Sequence, residues 1–242
     1  LIRQEETEMH VSSRGSRGDH HRAWRGTDFL RRIQSVVLAA TVLFCQAAWA
    51  GSTDPQAAQA LVSSTADRLL GMLKAEGDSL LNNPARVRDI ARQNLFPHID
   101  FDTMSRLAVG KDWRTATPAQ KERFVAEFRQ FLLRFYTGAL IEYTKGNKIP
   151  DGLMRFLPLR ASDHVKRVTV RSEVVQPGGG PPIPVNYQMH LKNNAWKVVD
   201  VQVDGVSMVA NYRSSFSTEL RKGGMEGLIK TLERRNRELA KG

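Results

Sequence analysis

TPAQKERFVAEFRQFLLRFYTGALIEYT, residues 117–144, is the clearest helical pattern in the chain. Thr117-Pro118-Ala119-Gln120 is a capping box with proline at the first helical position. The Thr117 hydroxyl can accept from the amide of Gln120 while the Gln120 side chain reaches back. The helix that follows would run about 40 Å at 1.5 Å per residue. Its apolar residues are Phe124, Val125, Phe128, Phe131, Leu132, Phe135, Tyr136, Leu140, Ile141 and Tyr143. They cover more than the single stripe a surface helix needs, which predicts a central and mostly buried helix.

C-terminal to this helix the apolar period changes to two. Val168, Val170 and Val174 alternate with Arg167, Thr169, Arg171 and Glu173. Val185, Tyr187, Met189 and Leu191 do the same, as do Val199, Val201 and Val203. With Leu153 to Leu159 this predicts about four antiparallel strands, each with one apolar face. Asn193-Asn194 reads as a tight hairpin turn, and Gln176 to Pro184 as an exposed Pro/Gly-rich loop. Two helices, Val206 to Lys222 and Met225 to Leu239, are expected to close the chain. On the other side, Asp54 to Asn83, Pro84 to Leu95 and Phe101 to Val109 read as three helices, with Asp100 as an N-cap. Leu61, Leu69, Leu70 and Leu73 form the stripe of the first. The expected class is α+β, an antiparallel sheet covered on one face by the long helix and its neighbours.

The first fifty residues read differently. Arg22, Arg25, Arg31 and Arg32 precede an apolar run, Ile33 to Cys45, and then Ala48-Trp49-Ala50. Basic head, short apolar run and A-x-A end make a secretory signal peptide; the run is shorter than the roughly 20 residues that span a bilayer. Phe44 stands where lipidation of Cys45 would need a small residue. Residues 1–50 are therefore expected to be a signal peptide and lead, with Met9 a candidate start, and residues 51–242 a single domain. The domain would be exported to the periplasm. The chain carries +11 overall. Residues 1–50 hold seven basic and five acidic side chains and the one cysteine. The domain keeps +9 and no disulfide, so it must rest on its core. For an exported protein, such charge points to anionic lipid or a solvated basic face rather than to nucleic acid.

No catalytic constellation is visible, and neither a metal nor a cofactor is expected. His98-Ile99-Asp100-Phe101-Asp102 straddles a helix start rather than presenting ligands on one face. His190 falls on the polar side of its strand. Val209 stands where a nucleophile elbow after Ser207 would need glycine. Gly178-Gly179-Gly180 lacks the Lys-Ser/Thr and the helix of a phosphate loop.

Two stretches carry a resemblance: FDTMSRLAVGKDWRTATPAQKERFVAEFRQFLLRFYTGALIEY, residues 101–143, and WKVVDVQVDGVSMVANYRSSFSTEL, residues 196–220. Gly110, Trp113-Arg114 and Thr117-Pro118, paired with Asp204-Gly205-Val206-Ser207 and Asn211-Tyr212-Arg213, make it specific. Both stretches resemble the MlaC, or toluene-tolerance, family, the periplasmic phospholipid-binding components of the Mla lipid-transport system. The resemblance implies a cone like that of nuclear-transport-factor-like (NTF2-like) proteins, with acyl chains between sheet and helices. It implies a monomeric, non-enzymatic carrier that maintains outer-membrane lipid asymmetry. Its partners would be an inner-membrane ABC transporter, through an MCE-domain subunit, and an outer-membrane lipoprotein complex. The transported phospholipid would be its only ligand.

Elementary energetics agrees with a cavity. Carrying two acyl chains through water exposes methylenes at about 0.8 kcal/mol each, on the order of 20 kcal/mol in all. The candidate lipid-binding residues are Met104, Leu107, Val109, Phe128, Leu132, Phe135, Tyr136, Leu140, Val199, Val201, Val203, Met208 and Tyr212. Each could equally be ordinary core. An enzyme with a similar conical pocket, such as an isomerase or hydrolase, would need a pocket carboxylate or imidazole, with Asp200 the first suspect. A structural protein would have a filled core instead.

Overall fold

Helix α1 (Pro55–Leu81) begins as its sequence dictates: Pro55 needs no donor in the first turn, and the Asp54 carboxylate accepts from the Gln56 amide at 2.9 Å. In this computed structural model the described residues are 53–241, without 145–148, 163 and 177–178. The expected signal peptide and part of the Pro/Gly-rich loop thus lie outside the described residues, as does the Tyr143 side chain. Residues 50–242 pack as one unit.

Helix α2 (Pro84–Asn94) is capped by Asn83, whose side chain accepts from the Arg86 amide at 3.1 Å. A 3-10 turn, Phe96–His98, leads to α3 (Phe101–Val109). In α4 (Pro118–Thr144) the capping box forms as expected. The Gln120 amide donates to the Thr117 hydroxyl at 3.2 Å and the Thr117 amide to Gln120 Oε1 at 3.1 Å.

Strands β1 (Met154–Phe156), β2 (Arg167–Val174), β3 (Ile183–Lys192), β4 (Ala195–Val203) and β5 (Val206–Ser207) form one antiparallel meander in chain order. Asn193 and Asn194 close the β3–β4 hairpin with φ of 51° and 58°, the left-handed pair that a two-residue turn between twisted strands requires. Helix α5 (Met208–Glu238) completes the chain, capped by Ser207 through the Ala210 amide at 3.0 Å.

The expectations are corrected at four places. A fifth strand precedes the last helix, because Val206 pairs with Val203 before the backbone turns helical. The first strand shrinks to three residues. The first of the two closing helices starts at Met208 instead of Val206, while the expected break between them falls at Gly224, where φ 60° and ψ −161° leave the helical region at a residue with no Cβ to oppose it. The long helix is buried on one flank only. Phe124 and Phe128 are fully enclosed, whereas Phe135 and Tyr136 are 45% and 41% exposed.

That last difference has a physical cause. Helix α4 packs chiefly on α2, α3 and α5, while α1, α3 and α5 reach the sheet. The rings of Phe124, Phe128, Tyr212 and Phe216 knit α4 to α5 with centroids 5.2–5.7 Å apart. On the sheet, Ala58 and Val62 of α1 cover Val168, Val170, Met189, Trp196 and Val198 as a separate core. A third cluster joins Leu80 and α2 to Ile141. Space is left where these three cores do not meet.

Asp100 ties the helical layer to the sheet. Its carboxylate accepts from the Thr103 amide at 3.1 Å and hydroxyl at 2.8 Å, from Lys192 Nζ at 2.8 Å, and lies 2.9 Å from His190 Nε2. Its amide donates to the Val198 carbonyl. Burial works against ionisation, but the Lys192 and Thr103 donors outweigh it and hold the carboxyl at about 2, below its ordinary 3.8. A depressed folded-state pKa stabilises the fold above the unfolded value and loses that contribution as pH falls through the window from 3.8 to about 2. The contribution is about 2 kcal/mol. Urea unfolding followed from pH 6 to pH 2 should show it, and Asp100→Asn should flatten the slope.

Candidate functional site

The space between the three cores is an apolar cavity of two lobes. One lobe, about 280 Å³, lies between α1, α2 and α4; the other, about 390 Å³, lies between α1 and the sheet. Leu69, Leu73, Leu95, Ile99, Leu140, Val198 and Val201 line both, so the lobes share walls. Helix α1 is the common roof: its stripe residues Leu61, Leu69, Leu70 and Leu73 all line the cavity. The floor of the second lobe is Met189 and Val198, both buried.

A break in strand alternation sets that floor. Met189 pairs with Val198, but Gln188 pairs with Asp200, which leaves Val199 as the extra residue of a β-bulge. Val198 and Val201 thereby both reach the cavity, although they are three apart. Asp200 turns to the other side with Gln188. There its carboxylate, 9% exposed, accepts from the Ser207 hydroxyl at 2.5 Å and the Val209 amide at 3.0 Å. It anchors the start of α5 and does not enter the cavity, which removes the first suspect for a catalytic acid.

Of the residues singled out in the sequence, Met104, Leu132, Tyr136 and Met208 line the first lobe, and Leu140 and Val201 line both. The others are placed elsewhere. Leu107 and Val109 border a surface groove with Trp113 and Arg213. Phe128 and Tyr212 belong to the α4–α5 core. Phe135 is exposed and stacked on Phe131 at 5.7 Å. Val199 is the bulge residue, and Val203, 43% exposed, lies past the cavity edge. The lining that was not anticipated comes from α1 (Leu69, Met72, Leu73), α2 (Val87, Ile90, Ala91) and the connection between α2 and α3 (Leu95, Phe96, Ile99). The helical stripe on α1 was the available signal.

Few polar groups touch this space. Tyr136 and Tyr212 hydroxyls lie 3.3 Å apart at its edge. Burial, then the hydrogen bond to Tyr136, pushes the Tyr212 hydroxyl well above its ordinary range, so it stays protonated. Burial also raises Tyr187, against an opposing hydrogen bond with Ser172. Among the described residues His98 is the one imidazole lining either lobe, and burial lowers its pKa, reinforced by Lys197 and Arg68. Such a cavity can shelter hydrocarbon chains. Trp113 lies outside it, edge-on to Phe124 at 6.1 Å with Lys121 over its face, and anchors the start of α4.

The chain is 33% identical to the toluene tolerance protein ttg2D of Pseudomonas putida over 213 residues, 88% of this chain and 92% of that protein. It is 25% identical to the intermembrane phospholipid transport system binding protein MlaC of Haemophilus influenzae, over 72% of this chain and 79% of that one. A solved structure, the phospholipid-binding protein from Ralstonia solanacearum in complex with a phospholipid, superposes with a TM-score of 0.66. It shares 30% identity and spans 76% of this chain and 98% of that one. The model of the family described as MlaC protein matches residues 63–234, a span that takes in all the cavity lining except Leu61 and Val62, and the chain belongs to that family.

Proposed function

We propose that this protein is a phospholipid carrier that encloses acyl chains in the two-lobed cavity. The observation that carries the reading is the cavity itself: two adjoining lobes, walled almost wholly by apolar side chains, lie beneath the leucine stripe of α1. Leaving so much apolar surface without packing is costly unless a ligand fills it. The phospholipid bound to the Ralstonia solanacearum relative supports the identity of that ligand. The chain would work in the periplasm after export, as a monomer and without catalysing a reaction. It would pass lipid between an inner-membrane ABC transporter, through its MCE-domain subunit, and an outer-membrane lipoprotein complex, and so maintain outer-membrane asymmetry. The name of the Haemophilus influenzae relative, an intermembrane phospholipid transport system binding protein, supports transport between membranes. No helix among the described residues is long and apolar enough to cross a membrane, which fits a carrier that leaves one membrane for another.

Native mass spectrometry of the purified protein, before and after delipidation and incubation with phosphatidylglycerol vesicles, tests the reading. The expected result is a mass increment equal to phospholipid that disappears on delipidation and returns on incubation. A protein that is empty at both stages would sink it.

A further inference from the structure

Helix α3 has two lined flanks. Phe101 and Met104 line the first lobe, while Arg106, Leu107 and Val109 line a surface groove that shares no residue with either lobe. The groove, about 530 Å³, lies between α3, the 3-10 turn Gly110–Trp113 and α5. Leu107, Val109, Trp113 and Leu220 supply its apolar surface, with Val109 and Leu220 buried at the base. Gly110, Trp113, Arg114 and Arg213, which the sequence singles out, all line it, and none of them lines the cavity.

Four cations border that apolar floor: Arg106 on α3, Lys111 and Arg114 along the turn, and Arg213 on α5. Arg213 is fixed in place. Its Nε and one of its Nη nitrogens donate to the Leu107 carbonyl at 2.8 and 2.5 Å. The side chain passes beside Gly110, where a Cβ would lie 3.6 Å from Nε. Its other Nη stays uncommitted among the described residues, as do the charged ends of Arg106, Lys111 and Arg114. One carboxylate, Asp112, lines the groove, and it pairs with none of the four. Trp113 is packed against Phe124 and Lys121, yet its indole N–H has no acceptor among the described residues. A cleft lined by one sign of charge over low-dielectric walls focuses its field and draws counter-charge.

The shape and chemistry select the occupant. Several cations around an apolar floor suit a chain that carries several carboxylates with an apolar side chain between them. A lone phosphate would leave the floor uncovered. A bilayer is entered by protruding apolar side chains. The large exposed ones, Phe135, Tyr136, Val175, Val203 and Val206, line no part of the groove.

We propose that this groove docks an acidic segment of a protein partner, with carboxylates on Arg106, Lys111, Arg114 and Arg213 and an apolar side chain against Leu107, Trp113 and Leu220. The inference goes beyond the carrier reading and does not depend on it, since the groove and the cavity have separate walls. The arginines can make paired contacts with a carboxylate, and Lys111 supplies a point charge. An acceptor on the segment would satisfy the Trp113 indole.

The test uses the full chain and a fluorescein-labelled peptide of Glu-Glu-Leu repeats. Fluorescence anisotropy reads affinity, and nitrogen-15 NMR follows the Trp113 indole resonance. The peptide is expected to bind and to move that resonance, with affinity falling as salt is added. Arg106→Gln with Arg114→Gln should weaken binding by about tenfold or more. Arg160→Gln with Arg167→Gln removes the same charge at exposed positions beside β2 and should leave affinity within about twofold. Circular dichroism and lipid occupancy should be unchanged in both. Equal weakening by the two pairs would overturn the groove, because the whole basic surface would then be the attractant. Equal affinity for Glu-Glu-Ser repeats would overturn it too, by showing that the apolar floor takes no part. Phosphatidylglycerol vesicles that move the Trp113 resonance where the peptide does not would replace the protein partner with a membrane. A protein that binds the peptide and never takes up lipid would sink the carrier and leave the groove standing.

Discussion

Leu69→Asp is expected to leave the protein folded and largely empty of lipid. Leu69 is half-buried on α1 and lines both lobes. In the empty protein the introduced carboxylate can stay hydrated through the cavity opening, so the folded state is little affected. Filling the cavity with acyl chains would strip that water from an unpaired charge, a penalty of roughly 3 kcal/mol or more that falls on the loaded state alone. Occupancy should therefore drop by about 100-fold or more at a given lipid concentration. Native mass spectrometry after incubation with phosphatidylglycerol vesicles measures it, with thermal unfolding as the control for the fold. Undiminished occupancy would mean that the chains lie somewhere else.

Phe128→Ala should do the reverse. Phe128 is fully enclosed, with Phe124, Tyr212 and Phe216 rings at 5.2–5.5 Å, and it lines neither lobe. Truncating it opens a void in the seam between α4 and α5, and the usual cost for a buried phenylalanine is about 3–5 kcal/mol. That is a large share of the stability of a domain this size. The midpoint of denaturant unfolding should fall accordingly, while the lipid bound per folded molecule stays as it was. The two variants thus separate the residues that hold the protein together from those that hold its cargo.

That separation marks where the sequence stops being informative. Helix starts are readable because a cap is a local chemical fact: Thr117 and Gln120, or Asp100 and Thr103, satisfy amides that no other group within the helix can. Strand faces are readable because their period is two. What an apolar face will meet is not local. Leu69 and Phe128 occupy equally convincing helical stripes, yet one faces space and the other faces rings. The periodicity that identifies a buried flank cannot distinguish a neighbouring side chain from a cavity. Val198 was hidden for another reason: alternation counted back from Val203 and Val201 lands on Val199, and only the pairing with β3 reveals the extra residue. The two residues of β5 are too few for any period. The resemblance to a family placed lipid between helices and sheet, but the walls had to come from the packing.

The bulge also bears on how such a chain can change length. In a regular strand the loss of one residue turns every following side chain to the opposite face. Across β4 that would send Val201 outward and bring Asp200 or Gln202 in. At Val199 alone the strand carries a surplus residue, and its removal would restore unbroken alternation while Val198 and Val201 still face inward and Asp200 still faces α5. This is the point in β4 where a deletion leaves both faces intact.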